Sequence, residues 1–158
     1  MEELEKLRKE IDKLDKMIAE LISKRQGLSN KILEAKGGEF TYDPVRERKV
    51  MEKIFSYDID SKLAERIWRQ IISFNLSKQK KLKIGYLGDD KFSIAAYESY
   101  FGPYFENRDF KNVNELMEGI NNKTIDALII EKSQLAFTKI NSKIKIVSEF
   151  PLNEHFYK

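Results

Sequence analysis

Apolar residues recur at alternating intervals of three and four over the first 35 residues: Leu4, Leu7, Ile11, Leu14, Ile18, Leu21, Leu28, Ile32 and Ala35. Arg25 stands at the one seam position where the pattern asks for leucine. The spacing predicts a long amphipathic helix with a coiled-coil-like seam, ended by Gly37-Gly38. Residues 4–35 would span ~48 Å at a rise of 1.5 Å per residue. A helix of that length in so small a chain needs a partner helix along its seam.

Asp43-Pro44 predicts the start of a second helix, with Asp as cap and Pro in the first position. Val45, Met51, Ile54 and Phe55 give it an apolar side. Asp58-Ile59-Asp60-Ser61 reads as a turn with a cap, followed by a third helix from about Lys62 to Lys80. Leu63, Ile67, Trp68, Ile71 and Ile72 are its expected buried face.

Beyond Lys80 the period changes. Lys83–Gly88 reads as a strand with a glycine turn, Phe92–Phe101 as a helix, Glu106–Phe110 as a strand, and Asn112–Asn122 as a helix capped by Asn112 or Asn114. Ile125–Ile130 and Lys143–Phe150 read as two further strands. Alternating strands and helices predict a small α/β unit with a largely parallel sheet. The expected organisation is an all-helical domain over residues 1–80 and an α/β lobe over 81–158, with almost no linker.

Composition narrows the chemistry. The 158 residues include no cysteine, which leaves no disulfide framework or thiolate, and one histidine, His155, too few for a multi-histidine metal cluster. His155 is read as an ordinary surface or core residue. No leader-like or membrane-spanning run is visible, so a soluble, cytoplasmic protein without membrane association is expected. Residues 1–80 hold 18 Lys/Arg against 15 Asp/Glu, and residues 81–158 hold 11 of each, so the net +3 lies in the helical half. An excess of three does not argue for nucleic acid.

Several polar residues break the helical patterns. Arg25 alone reads as a snorkelling or carboxylate-paired side chain. Asn75 and Gln79, on the stripe of Trp68, Ile71 and Ile72, alone read as the fraying end of a helix. Together they suggest a site. Lys36 follows Arg25 by eleven residues, about three turns, on nearly the same side and ~16 Å away. Asp43, Arg46 and Glu47 open the next helix. Three cations, two carboxylates and two amides suit the binding of a multiply anionic small molecule and the stabilisation of charge within it. They do not suit nucleophilic chemistry.

This set resembles the all-helical chorismate mutases. The resemblance rests on Leu7-Arg8-Lys9-Glu10-Ile11-Asp12-Lys13-Leu14-Asp15, Arg25, Lys36, Tyr42-Asp43-Pro44-Val45-Arg46-Glu47, Ile71-Ile72 and Gln79. It implies three helices per subunit, an intertwined homodimer and two equivalent sites lined by Arg8, Arg25, Lys36, Asp43, Arg46, Glu47 and Gln79. Asn75 stands where that family often has serine, and it can still donate to a carboxylate. The implied reaction is the rearrangement of chorismate to prephenate, a unimolecular step that needs no cofactor, no metal and no proton transfer. Lys36 and Gln79 would stabilise the ether oxygen, Arg25 and Arg8 would hold the two carboxylates, and Glu47 with Asp43 would accept from the ring hydroxyl. Arg46 would order these carboxylates and the substrate. Arg8 and Arg25 are ~25 Å apart on one helix and point roughly 100° apart, so Arg8 is expected to act in trans, from the other subunit.

The second half resembles the first lobe of prephenate dehydratase through Lys83–Gly88, Phe92–Ala96 and Ile125–Ser133. It departs from that family where Ile129 replaces a proline and Lys132 an asparagine, and where the glycine-rich turn has become Gly88-Asp89-Asp90-Lys91. The Thr-Arg-Phe motif and the second lobe are missing, so a degenerate lobe without dehydratase activity is expected. Two other readings stay open: an isochorismate pyruvate lyase, which resembles the same fold and site, and a non-catalytic coiled-coil adaptor.

Overall fold

The computed structural model describes residues 2–37, 43–136, 138 and 144–149. The chain divides into two compact units, Met1–Thr41 and Tyr42–Lys158.

The first unit is helix α1, Glu2–Ala35. Glu2, Glu3 and Glu5 in its first turn complement the positive end of the helix dipole. Gly37 ends it in the left-handed region at φ +73°, where glycine carries no Cβ penalty; Gly38 lies outside the described residues. The expected seam is present but bare. Leu4, Leu7, Ile11, Leu14, Ile18, Leu21, Leu28 and Ile32 are each more than half exposed.

In the second unit, α2 (Pro44–Phe55) begins as expected: the Asp43 carboxylate accepts from the Arg46 amide at 2.9 Å, and Pro44 takes the first position. Met51 and Ile54 are buried, while Val45 is exposed. Helix α3 (Ser61–Gln79) is capped by Asp60, which accepts from the Leu63 amide. Its buried face departs from the expected one. Leu63 and Ile67 are exposed, and the buried positions are Ala64, Arg69, Ser73, Asn75 and Leu76. The reason is tertiary. Helix α3 packs against α4 (Lys91–Tyr100) and the 3-10 turn Gly102–Tyr104 as well as α2. There the Ser73 hydroxyl donates to the Tyr100 carbonyl, and the Phe74 and Tyr104 rings meet edge-on at 5.4 Å.

Three parallel strands follow in the order β2-β1-β3: β1 Lys83–Leu87, β2 Glu106–Phe110 and β3 Ala127–Leu128. Side chains alternate across β1. Tyr86 meets Tyr97 of α4 on one face. On the other face Leu87 joins Leu116 of α5 (Val113–Asn121) and Ile125 in the apolar cluster. Gly85 lets α5 approach the sheet, since a Cβ there would lie 2.4 Å from Ile125 Cδ1 and 2.8 Å from Leu116 Cδ1. Asn112 caps α5, its side chain accepting from the Glu115 amide at 3.0 Å.

Two expected strands change. The apolar run Ile125–Ile130 pairs as a strand only at Ala127–Leu128, flanked by ladder bonds from the Asp126 amide to Lys83 O and the Ile129 amide to Gly85 O. Burial, rather than pairing, accounts for the rest of that run, with Ile125 and Ile129 both buried. Residues 144–149 form no strand, and Ile146 and Val147 are exposed; Lys143 and Phe150 lie outside the described residues. A short helix, α6 (Lys132–Leu135), follows β3. His155 and Tyr42 also lie outside the described residues.

Candidate functional site

Three of the expected site residues belong to the first unit. Arg8 is exposed on α1 and pairs with Glu5, one turn earlier, at 2.7 Å. Arg25 is half-buried and Lys36 is exposed in the turn that ends the helix. Seventeen residues separate Arg8 from Arg25, ~25 Å along a continuous helix, so α1 by itself does not bring them together.

The other five lie on α2 and α3. Asp43 and Arg46 are joined through the helix cap. The Arg46 guanidinium makes no hydrogen bond or ion pair among the described residues; the arginine that orders a carboxylate here is Arg69. Its Nη1 and Nη2 donate to Glu47 Oε2, both at 3.2 Å, and the two side chains are only 4% and 15% exposed. The Tyr100 hydroxyl donates to the same oxygen at 3.1 Å, and the Arg69 guanidinium carbon sits 4.2 Å from the centre of the Tyr100 ring. Glu47 Oε1 accepts no hydrogen bond among the described residues. Neither Arg69 nor Tyr100 was singled out in the sequence. The available signal was a charged residue inserted between the apolar pairs Ile67-Trp68 and Ile71-Ile72.

Asn75 is buried, at 8% exposure, within a helix that runs on to Gln79, so a frayed end does not account for it. Its Nδ2 has no hydrogen-bond partner among the described residues. An unpaired buried donor costs about 1–3 kcal/mol, and such groups call for a use. Gln79 is half-buried at the last position of α3.

One further carboxylate bears on this cluster. Burial pushes the Glu65 carboxyl above its ordinary value, against the lowering pull of Arg69, one helical turn away, and of Arg66. The second unit thus presents a carboxylate held through one oxygen and, on α3, a buried amide donor without a hydrogen-bond partner among the described residues. Among the described residues, no group of three or more His, Cys, Asp or Glu side chains is arranged to hold a metal ion, and no helix is long and apolar enough to cross a membrane.

Residues 7–80 match the family described as chorismate mutase type II, a stretch that contains every candidate residue from Arg8 to Gln79. The chain is 37% identical over 112 residues to the bifunctional chorismate mutase/prephenate dehydratase of Aquifex aeolicus, covering 65% of this chain and 31% of the relative. Proteins of the same description from Stutzerimonas stutzeri and Pseudomonas aeruginosa are 31% and 33% identical over 112 residues, each alignment covering 64% of this chain and 31% of the relative. The chain spans about a third of the length of the curated relatives it matches. No solved structure is a significant match. Residues 7–80 are thus similar to the chorismate mutase type II family, and in this chain they are followed by a small parallel sheet with helices.

Proposed function

We propose that the chain is a chorismate mutase that rearranges chorismate to prephenate in phenylalanine and tyrosine biosynthesis, working as an intertwined homodimer of three-helix domains. The observation that carries this reading lies within the matched stretch: Glu47 is held by three donors through Oε2 alone, and Asn75 Nδ2 is buried without a partner among the described residues. The step is unimolecular, so the protein's task is to hold a reactive conformer and to meet the charge that develops on the ether oxygen. Lys36 and Gln79 serve that oxygen. Arg25 and Arg8 hold the two carboxylates, for which guanidinium forks are the matching shape, and Asn75 adds an amide donor. Glu47, with Asp43, accepts from the ring hydroxyl, while Arg46 faces the same ligand. No cofactor enters the step.

The homodimer is supported by the bare seam of α1. An apolar stripe of eight exposed leucine and isoleucine side chains is a surface that water disfavours. Two-fold antiparallel pairing of α1 with its copy would cover it and would bring Arg8 of one protomer toward Arg25 of the other. A biosynthetic step on small soluble metabolites fits the cytoplasmic setting expected from the sequence.

The second half is read as a degenerate first lobe of prephenate dehydratase without dehydratase activity. In its support, the alignments to the bifunctional relatives, 112 positions long, exceed the 74 residues (7 to 80 inclusive) of the family match. The Asp90 carboxylate itself occupies the N-terminus of α4, accepting from the Phe92 amide at 3.0 Å and from the Ser93 hydroxyl, which leaves that end less suited to a ligand's carboxylate. Lys132 is engaged with Glu149 at 3.2 Å.

Product analysis tests the reading. The purified chain is incubated separately with chorismate and with isochorismate. Prephenate from chorismate supports the mutase. Salicylate and pyruvate from isochorismate alone would favour the lyase. No turnover of either would favour the adaptor. Phenylpyruvate formed faster than the spontaneous rate at neutral pH would overturn the lobe's proposed inactivity.

A further inference from the structure

We propose that Tyr100, which belongs to the α/β half of the chain, is a positioning residue for Glu47 in the mutase site; the proposal rests on the chorismate mutase reading. Glu47 Oε2 receives three donors: two nitrogens of Arg69 and the Tyr100 hydroxyl. Three donors on one oxygen fix the carboxylate's rotation and leave Oε1 as the acceptor for a ligand hydroxyl. The choice of a tyrosine has a physical consequence. A second cation beside Arg69 would quench the carboxylate's charge, whereas a neutral hydroxyl holds its direction and adds no charge.

Tyr100 is itself held firmly. It is 5% exposed, its ring meets Phe101 edge-on at 4.9 Å, and its carbonyl accepts from the Ser73 hydroxyl on α3. Its ring also stacks on Arg69, so one residue of the appended half fixes both members of the Glu47–Arg69 pair. On this account the α/β half contributes to catalysis through the conformation of one carboxylate rather than through a site of its own.

The experiment is a double-mutant cycle on the full chain: wild type, Tyr100→Phe, Glu47→Gln and the double variant, with kcat and KM measured for chorismate. Tyr100→Phe keeps the ring, its packing and the stacking on Arg69, and removes only the hydroxyl. It is expected to lower kcat/KM roughly 10-fold, as loss of a hydrogen bond to a charged group does, with an unchanged circular dichroism spectrum. In the Glu47→Gln background the same change is expected to cost less than about two-fold, because the carboxylate that it orients is gone. Equal losses in both backgrounds would mean a merely structural role and would overturn the proposal. So would full activity of Tyr100→Phe. A wild-type chain without turnover would overturn the mutase reading and the proposal with it, an outcome distinct from failure of Tyr100 alone.

Discussion

Both terminal guanidinium nitrogens of Arg69 lie 3.2 Å from Oε2 of Glu47, 22 residues earlier in the chain. Arg69 is almost fully buried and Glu47 nearly so, and removing one partner of such a pair leaves a desolvated charge behind. Arg69→Met is therefore expected to destabilise the protein by about 3 kcal/mol or more, measured by urea unfolding. A loss under about 1 kcal/mol would mean that Glu47 is well solvated without Arg69.

In the proposed mechanism Lys36 meets the charge that develops on the ether oxygen. Lys36→Ala should lower kcat by a factor of about 10²–10³ or more, the usual cost of removing one preorganised donor. Lys36 is exposed at the end of α1, so the fold should stay intact by circular dichroism. Near wild-type turnover would remove Lys36 from the mechanism.

Glu65 makes a pH-dependent prediction. Burial raises its carboxyl above the ordinary 4.5, so the folded state binds the proton more tightly than the unfolded chain. Glu65 thus costs stability fully above its raised folded value, and the cost fades as pH falls toward the unfolded value. Glu65→Gln should raise the melting temperature near pH 7 to 8, and the gain should vanish below about pH 4. A gain that grows on acidification would reverse the assigned direction.

The parts of the fold set by local rules were legible in the sequence. The three-four spacing marked α1, Asp43-Pro44 marked the start of α2, and Glu106–Phe110 was readable as β2 residue for residue. What depended on long-range partners was not. Apolar periodicity put Leu63 and Ile67 on the buried face of α3, because it reports which residues are apolar and not which face a neighbour covers; the covered positions include Ala64 and Ser73, the latter bonded to Tyr100 of α4. The run 144–149, expected as a strand, joins no strand of the sheet among the described residues. Among the candidate site residues, Glu47 was singled out from its place after Asp43-Pro44, but its partners in the structure were not. Tyr100 lies 53 residues away from it, and the local sign of Arg69, a charge between the apolar pairs Ile67-Trp68 and Ile71-Ile72, does not name Glu47 as its partner.

The trans role of Arg8 is tested by complementation. Arg8→Ala and Arg25→Ala homodimers should each be nearly inactive. After joint unfolding and refolding, about half the dimers should be mixed, and each of these should hold one intact site in two. Roughly a quarter of wild-type activity should return. No recovery, with mixed dimers confirmed by mass, would mean that Arg8 serves its own protomer's site or none.

The most direct measurement of the central claim is the rate at which the purified chain converts chorismate to prephenate, set against the spontaneous rate in the same buffer without added metal or cofactor. The account predicts stoichiometric prephenate at a rate orders of magnitude above the spontaneous one, saturating with chorismate. Loss of chorismate no faster than in buffer alone, from a chain with native circular dichroism, would contradict it.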